Sequence, residues 1–330
     1  MPEGKVFLFG DINVDNLLVL PEIPIPGRDG LASHAETHLG GAVANTAGLL
    51  SSLGVKTELI GAIGKDHWAA YIKNELKKDG TGFKYLIETE KDLTGLIFIA
   101  VTPDGERTML SYRGANRIFG MDNLPENILE EAAFLQLSGY VFHEEATTNV
   151  ANALIAQANE RAIPVCLDTG LDPVIYQTER FLKVLPSLSI LITGREEAEK
   201  LTGTKELGQQ MDALLAAGTV KVALKVGAEG AALAYQDQKY LLPRAEVHVK
   251  DTTGAGDAFT AGIILGERLR LSPKEQLAMA IAIGSKSTEY FGAARFSLEA
   301  LLQFLDWQQN HTTKFGRENA HLSERIRQAR

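Results

Sequence analysis

The alternation of short apolar runs with longer amphipathic segments is the feature that most limits how this chain can fold. An apolar run at Val6–Phe9 ends in Gly10 and Asp11, and similar runs recur along the chain between segments of helical period. The predicted strands lie at 6–9, 58–63, 134–137, 164–168, 190–193 and 220–226, and the predicted helices at 42–53, 68–78, 146–161, 196–201 and 205–217. Strands that alternate with helices predict an α/β fold with a mostly parallel sheet, flanked by helices on both faces.

Two segments break this alternation. Residues 16–39 are extended and rich in proline, and residues 95–112 contain Pro103-Asp104-Gly105, which is typical of a hairpin turn. We predict that both form strands outside the main sheet, as a small β lid whose segments span about 14–39 and 94–114. The rest of 1–310 would be a single domain, and 311–330 a polar C-terminal extension that forms a surface helix or a frayed tail.

Composition narrows the classes of protein to consider. With 45% hydrophobic and 23% charged residues among 330, the chain has the composition of an ordinary globular protein. The net charge of −9, without a basic stripe, argues against nucleic acid as a partner. No run approaches the roughly 20 apolar residues of a membrane span, and the N-terminus is interpreted as a first strand, not a signal peptide. A lone Cys166 fits a reducing compartment, so the expected location is the cytoplasm.

The strongest chemical signal is the run Asp251-Thr252-Thr253-Gly254-Ala255-Gly256-Asp257, which precedes a segment of helical period. Small residues at a helix start leave backbone N–H groups free to bind an anion, and the helix dipole favours negative charge there. Asp257 could accept the proton of an attacking hydroxyl. Alternatively, Asp257 only caps the helix and the glycines form a tight turn. A P-loop lysine is absent, so any phosphate would be bound by backbone amides.

A second signal is Gly40-Gly41-Ala42-Val43-Ala44-Asn45 at the start of the first predicted helix. Adjacent glycines do not form the Gly-x-Gly-x-x-Gly fingerprint, which excludes a typical dinucleotide-binding dehydrogenase. They let the backbone pack closely against a ligand, and Asn45 offers both a donor and an acceptor to hydroxyl groups.

Together these two segments resemble the two signature regions of the ribokinase (PfkB) family of carbohydrate kinases, and the resemblance extends from Gly10 to Ala294. It implies a Rossmann-like (ribokinase-like) core with a β lid, and ATP and Mg²⁺ as cofactors. By the family motifs, Asp257 would be the catalytic base, and Gly254, Ala255 and Gly256 would form the anion hole. The same motifs imply sugar-binding roles for Asp15, Asn13, Gly40, Gly41 and Asn45.

The resemblance also implies a nucleotide site and two metal sites. The implied nucleotide-binding residues are Lys225, Gly227, Gly230, Thr252, Gly254, Gly256, Gly284 and Ser287. Glu197 stands where the family has the Glu that organises Mg²⁺ through water, although Gly194 replaces the family's Asn three positions earlier. Glu197 could equally be a solvated acidic residue at a helix start. Asp251 and Thr253 resemble a monovalent-cation site, which makes K⁺ a further candidate cofactor.

Substrate specificity is predicted from the end of the second lid segment. Tyr112 and Arg113 resemble Tyr-Arg stretches that reach the substrate in fructokinase-like and ketodeoxygluconate kinase-like relatives. Arg113 could pair with a carboxylate or phosphate, hydrogen-bond hydroxyls, or cover apolar residues at the lid surface. Asp168 ends a predicted strand and is a further candidate for substrate binding. Ala42 stands where ribokinases proper have Lys, which argues against ribose.

The leading prediction is therefore ATP-dependent phosphorylation of a hydroxyl of a sugar or sugar acid. A nucleoside kinase of the same family is the first alternative, and an inactive sugar or nucleotide sensor with the same fold is the second. The apolar lid residues Leu96, Phe98 and Ala100 need covering, which predicts a homodimer that shares its lids.

Overall fold

The computed structural model describes residues 3–103, 106–311 and 313–329. Asp104 and Gly105 of the predicted hairpin turn lie outside this range. The strands of the described chain, in order, are Lys5–Phe9 (β1), Asn13–Val19 (β2), His34–Gly40 (β3), Thr57–Gly64 (β4), Gly82–Thr89 (β5), Gly95–Val101 (β6), Arg107–Tyr112 (β7), Ala132–Ser138 (β8), Val165–Asp168 (β9), Ile190–Gly194 (β10), Lys221–Lys225 (β11), Ala231–Tyr235 (β12) and Gln238–Leu242 (β13).

The α-helices of the described chain lie between and after these strands. Their bounds are Ala42–Ser52 (α1), His67–Asp79 (α2), Glu145–Glu160 (α3), Leu171–Val184 (α4), Arg195–Thr202 (α5), Leu207–Ala216 (α6), Ala255–Arg268 (α7), Pro273–Ser287 (α8), Leu298–Asn310 (α9), Lys314–Glu318 (α10) and Leu322–Ala329 (α11). None of the helices in the described ranges is long and apolar enough to cross a membrane.

Nine strands form the main sheet in the order β13-β12-β11-β10-β9-β8-β1-β4-β5. All neighbours from β11 to β5 pair in parallel, and only β12, which is antiparallel to both β11 and β13, runs in the opposite direction. The predicted mostly parallel sheet is confirmed. The chain leaves β1 first toward β4 and β5 and later toward β8, so β1 and β8 lie where the strand order reverses, which is the usual place for a ligand crevice.

Helices cover both faces of this sheet. One apolar cluster contains Val6 and Leu8 of β1 with residues of α1, α2, α7, α8 and α9. The other contains Phe7 and Phe9 with residues of α3, α4, α5 and α6. Successive side chains of a strand point to opposite faces, so a strand that is buried on both faces is apolar at every position. This explains why short apolar runs identified the central strands correctly.

The lid is a separate sheet in the order β3-β2-β6-β7. The predicted extended segments are thus strands outside the main sheet. Since side chains alternate, Asp15, Leu17 and Val19 face the body of the protein, while Phe98 and Leu110 lie on the opposite, outer face. These two outer side chains are 44% and 68% exposed. A homodimer that covers this face stays a prediction.

Two parts of the fold differ from simple expectation. The pattern-based assignment did not include β5 or α4, the first an edge strand and the second a helix whose backbone is kinked at Gln177. The polar C-terminal segment forms α10 and α11. Its apolar residues Phe315, Leu322 and Ile326 are buried in the core cluster that contains α8 and α9, so this segment packs against the core.

Candidate active site

The candidate site lies at the carboxyl ends of the parallel strands. Asp11 follows β1, Asp168 ends β9, Gly194 ends β10 and Lys225 ends β11. Helix α7, which begins after Gly254, contributes its N-terminus at the same edge. Parallel strands end at one edge of their sheet, so residues far apart in sequence meet there.

Asp257 lies in the first turn of α7, and its Oδ2 accepts a hydrogen bond of 2.8 Å from Nδ2 of Asn45. Its pKa is raised to about 7, chiefly because the carboxyl group is buried. The negative charges of Asp168 and Asp15 also raise this pKa, while the Asn45 hydrogen bond and Lys225 lower it. A carboxyl group with this pKa can take up a proton near neutral pH, as a general base must.

Asp15 lies across from Asn45 on the lid side, and a Cβ on Gly40 would be 2.1 Å from Asp15 Cγ. Glycine at position 40 therefore makes room for this carboxylate. Burial raises the pKa of Asp15 to about 6, against the lowering effect of His38. Asp15 Oδ1 and Asn45 Oδ1 are both buried, and neither has a hydrogen-bond partner among the residues that the structure describes. Such acceptors need donors, and the hydroxyl groups of a bound ligand can supply them.

Asn13 and Gly41 lie next to the acceptor oxygens of Asp15 and Asn45. Asn13 Oδ1 accepts a bond of 2.8 Å from Asn116, which also bonds both backbone groups of Ile12. The Asn13 side chain is thus held in place by Asn116, a residue to which the sequence analysis gave no role. Gly41 precedes α1, and a Cβ there would lie 2.2 Å from the Asp11 carbonyl oxygen.

Arg113 and Tyr112 diverge at the end of β7. Arg113 forms a two-pronged ion pair with Asp11, since Nε and Nη2 each lie 2.8 Å from a carboxylate oxygen, and Nη2 also donates to the Tyr140 carbonyl at 3.0 Å. Tyr112 faces the other side of the lid, is 45% exposed, and donates its hydroxyl to Asp92. The structure therefore places Arg113 at the cleft but does not place Tyr112 there, because Tyr112 is the last residue of β7 whereas Arg113 has a helical backbone conformation and begins the turn after it.

Asp168 and Lys225 form an ion pair of 2.8 Å, and the second oxygen of Asp168 accepts from the Thr260 hydroxyl at 2.6 Å. Each oxygen of Asp168 therefore already accepts one hydrogen bond from a protein group, and its predicted sugar-binding role stays a prediction. A Cβ on Gly256 would lie 3.6 Å from Lys225 Nζ, so this ammonium group is beside the start of α7. Burial lowers the pKa of Lys225, but Asp168, Glu197 and Asp257 raise it, and the net direction is upward.

Glu197 folds back over the end of β10. A Cβ on Gly194 would lie 2.2 Å from Glu197 Oε2, so the absence of a side chain at 194 makes room for this carboxylate. The described residues include no cluster of three or more His, Cys, Asp or Glu side chains that could hold a metal. A single carboxylate suits Mg²⁺, which keeps several of its waters and binds phosphate oxygens. The residues present thus fit the implied ion.

A cavity of about 470 Å³ opens between the end of β11, the start of α7 and the middle of α8. A volume of this size suits a small-molecule ligand. The predicted nucleotide residues at its wall are Lys225, Gly227, Gly230, Thr252, Gly256 and Gly284. Ser287 is fully buried, with its hydroxyl bonded to the Gly284 carbonyl. The cavity is lined instead by Ser285 of α8 and by Thr288, the residue after its end.

Asp251 and Thr253 do not fit the implied monovalent cation. Asp251 Oδ1 accepts from the Thr253 amide and hydroxyl and from Arg107 Nη2 at 2.8 Å, and Oδ2 accepts from the Gly292 amide at 2.8 Å. Arg107 also donates to the Thr252 hydroxyl at 2.6 Å. The positive charge beside Asp251 is therefore a guanidinium group from the lid, which the sequence analysis did not identify.

Comparison with known proteins shows the family to which the chain belongs. A family model described as pfkB family carbohydrate kinase matches residues 3–301. A ribokinase from Staphylococcus aureus (strain COL) is 29% identical over 296 residues, which cover 86% of this chain and 92% of that protein. A ribokinase from Arabidopsis thaliana is 28% identical over 313 residues, covering 89% of this chain and 80% of its own length.

Solved structures share the fold. The Arabidopsis thaliana ribokinase complexed with ribose and ATP superposes with a TM-score of 0.80 at 24% identity, over 92% of this chain and 98% of that one. A Methanocaldococcus jannaschii nucleoside kinase reaches 0.79 at 20% identity, over 93% and 99%. The family match covers nearly all of the chain, and the predicted α/β fold with a small second sheet is confirmed. The chain belongs to the pfkB family of carbohydrate kinases, ATP-dependent phosphotransferases.

Proposed function

We propose that this protein transfers the γ-phosphoryl group of ATP to a hydroxyl group of a sugar or sugar acid, with Asp257 as the catalytic base. The observation that carries the proposal is the position of Asp257. Its buried carboxyl group, with a pKa raised to about 7, stands between two sets of groups. The unpartnered oxygens of Asp15 and Asn45 lie on one side, and the cavity beside Lys225 lies on the other.

The acceptor side would bind and orient the sugar. Asp15 Oδ1 and Asn45 Oδ1 each accept a hydrogen bond from a sugar hydroxyl. Asn45 Nδ2 holds Oδ2 of Asp257, which leaves Oδ1 to receive a proton. Fixing the acceptor against this oxygen turns an encounter of two molecules into a reaction within one complex.

The transfer itself moves one phosphoryl group and one proton. The acceptor oxygen attacks the γ-phosphorus, the bond from that phosphorus to the β,γ-bridging oxygen breaks, and ADP departs with the electron pair. The hydroxyl proton passes to Asp257. The amides of Gly254 and Gly256 and the helix dipole of α7 would stabilise the negative charge on the transferring group. The Ala255 amide, also predicted for the anion hole, donates to the Thr252 carbonyl at 3.2 Å and would have to leave it to contribute.

Lys225 and Glu197 act on the nucleotide side. The Lys225 ammonium group, held by Asp168 at 2.8 Å, lies beside Gly256 and so beside the transferring phosphoryl group. Glu197 would hold Mg²⁺ through water. Bound Mg²⁺ supplies positive charge to the nucleotide phosphates.

A panel of acceptors scored by ADP release tests the proposal. The panel contains aldoses, ketoses, aldonic acids and adenosine, each supplied with MgATP. We expect ADP release well above the acceptor-free rate with at least one sugar or sugar acid, and a phosphorylated sugar in the products. Turnover confined to adenosine would show a nucleoside kinase, and tight sugar binding without any ADP release would show a sensor.

A further inference from the structure

The Arg113 guanidinium group in the cleft is already neutralised. Two of its nitrogens each lie 2.8 Å from an oxygen of Asp11, and both side chains are largely buried, at 15% and 9% exposure. Paired contacts of this kind are among the strongest side-chain interactions in proteins. Nη2 is also bonded to the Tyr140 carbonyl, so Arg113 has a fixed position.

The remaining charges around the acceptor are negative. Asp15 and Asp257 have no lysine or arginine bonded to them in the described chain, and Lys225, the nearest cation of the nucleotide side, is paired with Asp168. Tyr140 reflects this environment: its pKa is raised to about 12 by burial and by the negative charges of Asp172, Asp11 and Asp257. Glu144 lies 3.8 Å from Arg113 Nη1. An incoming anion would meet an excess of carboxylates.

The polar atoms still available are those that recognise hydroxyl groups. Asp15 Oδ1 and Asn45 Oδ1 need donors, and Arg113 Nη1 needs an acceptor. A hydroxyl group can donate to either of these oxygens or accept from this nitrogen. An ionised carboxylate or phosphate group can only accept, so it could bond only Nη1 of Arg113. To bind an anion with its full fork, Arg113 would have to leave Asp11 buried and unpaired, which is strongly unfavourable.

We propose that Asp11 is a specificity-determining residue, which neutralises Arg113 so that the cleft selects an uncharged polyhydroxy acceptor and rejects one that carries a carboxylate or phosphate group. This inference rests on the proposed function and narrows it from sugars and sugar acids to uncharged sugars.

The experiment compares kcat/KM for matched acceptors, namely glucose with gluconate and ribose with ribonate, in the wild type and in Asp11→Asn. For the wild type we expect a preference of at least about a hundredfold for the uncharged member of the pair that reacts. Asp11→Asn keeps the size of the side chain but removes its charge. We expect it to reduce the preference at least about tenfold, mainly through a lower KM for the acid.

Glu267→Gln is the matched control. Glu267 forms a partly buried pair with Lys221 at 2.7 Å, but Lys221 starts β11 and Glu267 lies near the end of α7, so this pair is at the opposite edge of the sheet from the cleft. This variant should keep the wild-type preference, with thermal melts confirming that all the proteins are folded. If Asp11→Asn does not fold, the preference of the wild type for the uncharged acceptor over the acid tests the inference by itself.

A wild type that prefers the acid, or an Asp11→Asn protein that is folded and keeps the wild-type preference, would overturn the inference while leaving the kinase function intact. Absence of ADP release with every acceptor would instead overturn the proposed function, and the inference with it.

Discussion

At the scale of single residues, the proposed function predicts that Lys225 compensates for the missing side chain at position 194. Gly194 has no side chain with which to contact a phosphate group, and the space a side chain would need is taken by the Glu197 carboxylate. Lys225 has its ammonium group beside the start of α7 and donates to Asp168, which in turn accepts a hydrogen bond from the Thr260 hydroxyl. A charge at this point is most effective when negative charge develops on the transferring group, because the surrounding protein excludes water.

Lys225→Met tests this role. We expect kcat to fall by about 10²–10³-fold, which is the usual effect of removing one group that stabilises transition-state charge, while the KM for the acceptor changes little. Steady-state kinetics with the concentrations of ATP and acceptor both varied will separate the effect on kcat from the effect on KM. Lys239→Met, which removes a lysine paired with Asp212 on the surface, is the control. A Lys225→Met enzyme with wild-type kcat would exclude the role.

At the scale of elements, Arg107 joins the lid to the catalytic loop. It lies at the start of β7 and bonds Asp251 and Thr252, just before α7 begins. Asp251 in turn bonds the Gly292 amide at 2.8 Å. The Asp251 carboxylate thus connects the lid, the loop before α7 and the loop after α8. The positive charge that balances it belongs to Arg107, which is a residue of the chain itself.

The enzyme should therefore not require a monovalent cation. We expect less than about a twofold change in rate when K⁺ is replaced by tetramethylammonium, since the guanidinium group already neutralises Asp251. Arg107→Ala should lose about tenfold in kcat/KM, and added K⁺ should restore part of it. Strong stimulation of the wild type by K⁺ would contradict this account of the Asp251 loop.

The elements show what local sequence can predict. Strand β1 was predicted at 6–9 and occurs at Lys5–Phe9, because a strand buried on both faces is apolar throughout. Strand β5 was not assigned, since it lies at the sheet edge and mixes apolar with polar residues. That Tyr112 and Arg113 diverge was not evident from the pattern, because the strand ends at Tyr112 and Arg113 already belongs to the following turn.

The pairing of side chains could not be predicted in this way. Asn45 and Asp257 are 212 positions apart, and Asp11 and Arg113 are 102 apart. Motifs identify which residues stand at strand and helix ends, but the partner of each charged group depends on how those ends meet. Asp168 was predicted as a sugar ligand, and the fold also makes it the partner of Lys225, a pairing that only the folded arrangement shows.

At the scale of the whole molecule, the burial of the Asp257 carboxyl group lowers the stability of the folded protein at neutral pH. The pKa of Asp257 is raised from 3.8 to about 7 by folding. The unfolded chain therefore loses this proton at lower pH than the folded chain. The contribution of Asp257 to the free energy of folding is therefore neutral below about pH 4. It becomes unfavourable as the pH rises toward 7, by up to about 4 kcal/mol. The burial of apolar side chains between the main sheet and its two helix layers offsets this loss of stability.

The most direct test of the central claim is the turnover of Asp257→Asn, with its thermal stability measured on the same sample at pH 7.5. The amide keeps the Asn45 hydrogen bond but cannot accept the proton. We expect a loss of about 10²–10⁴-fold in kcat together with a melting temperature a few degrees above that of the wild type, because no charge is buried. Turnover of the folded variant at the wild-type rate would show that Asp257 is not the base.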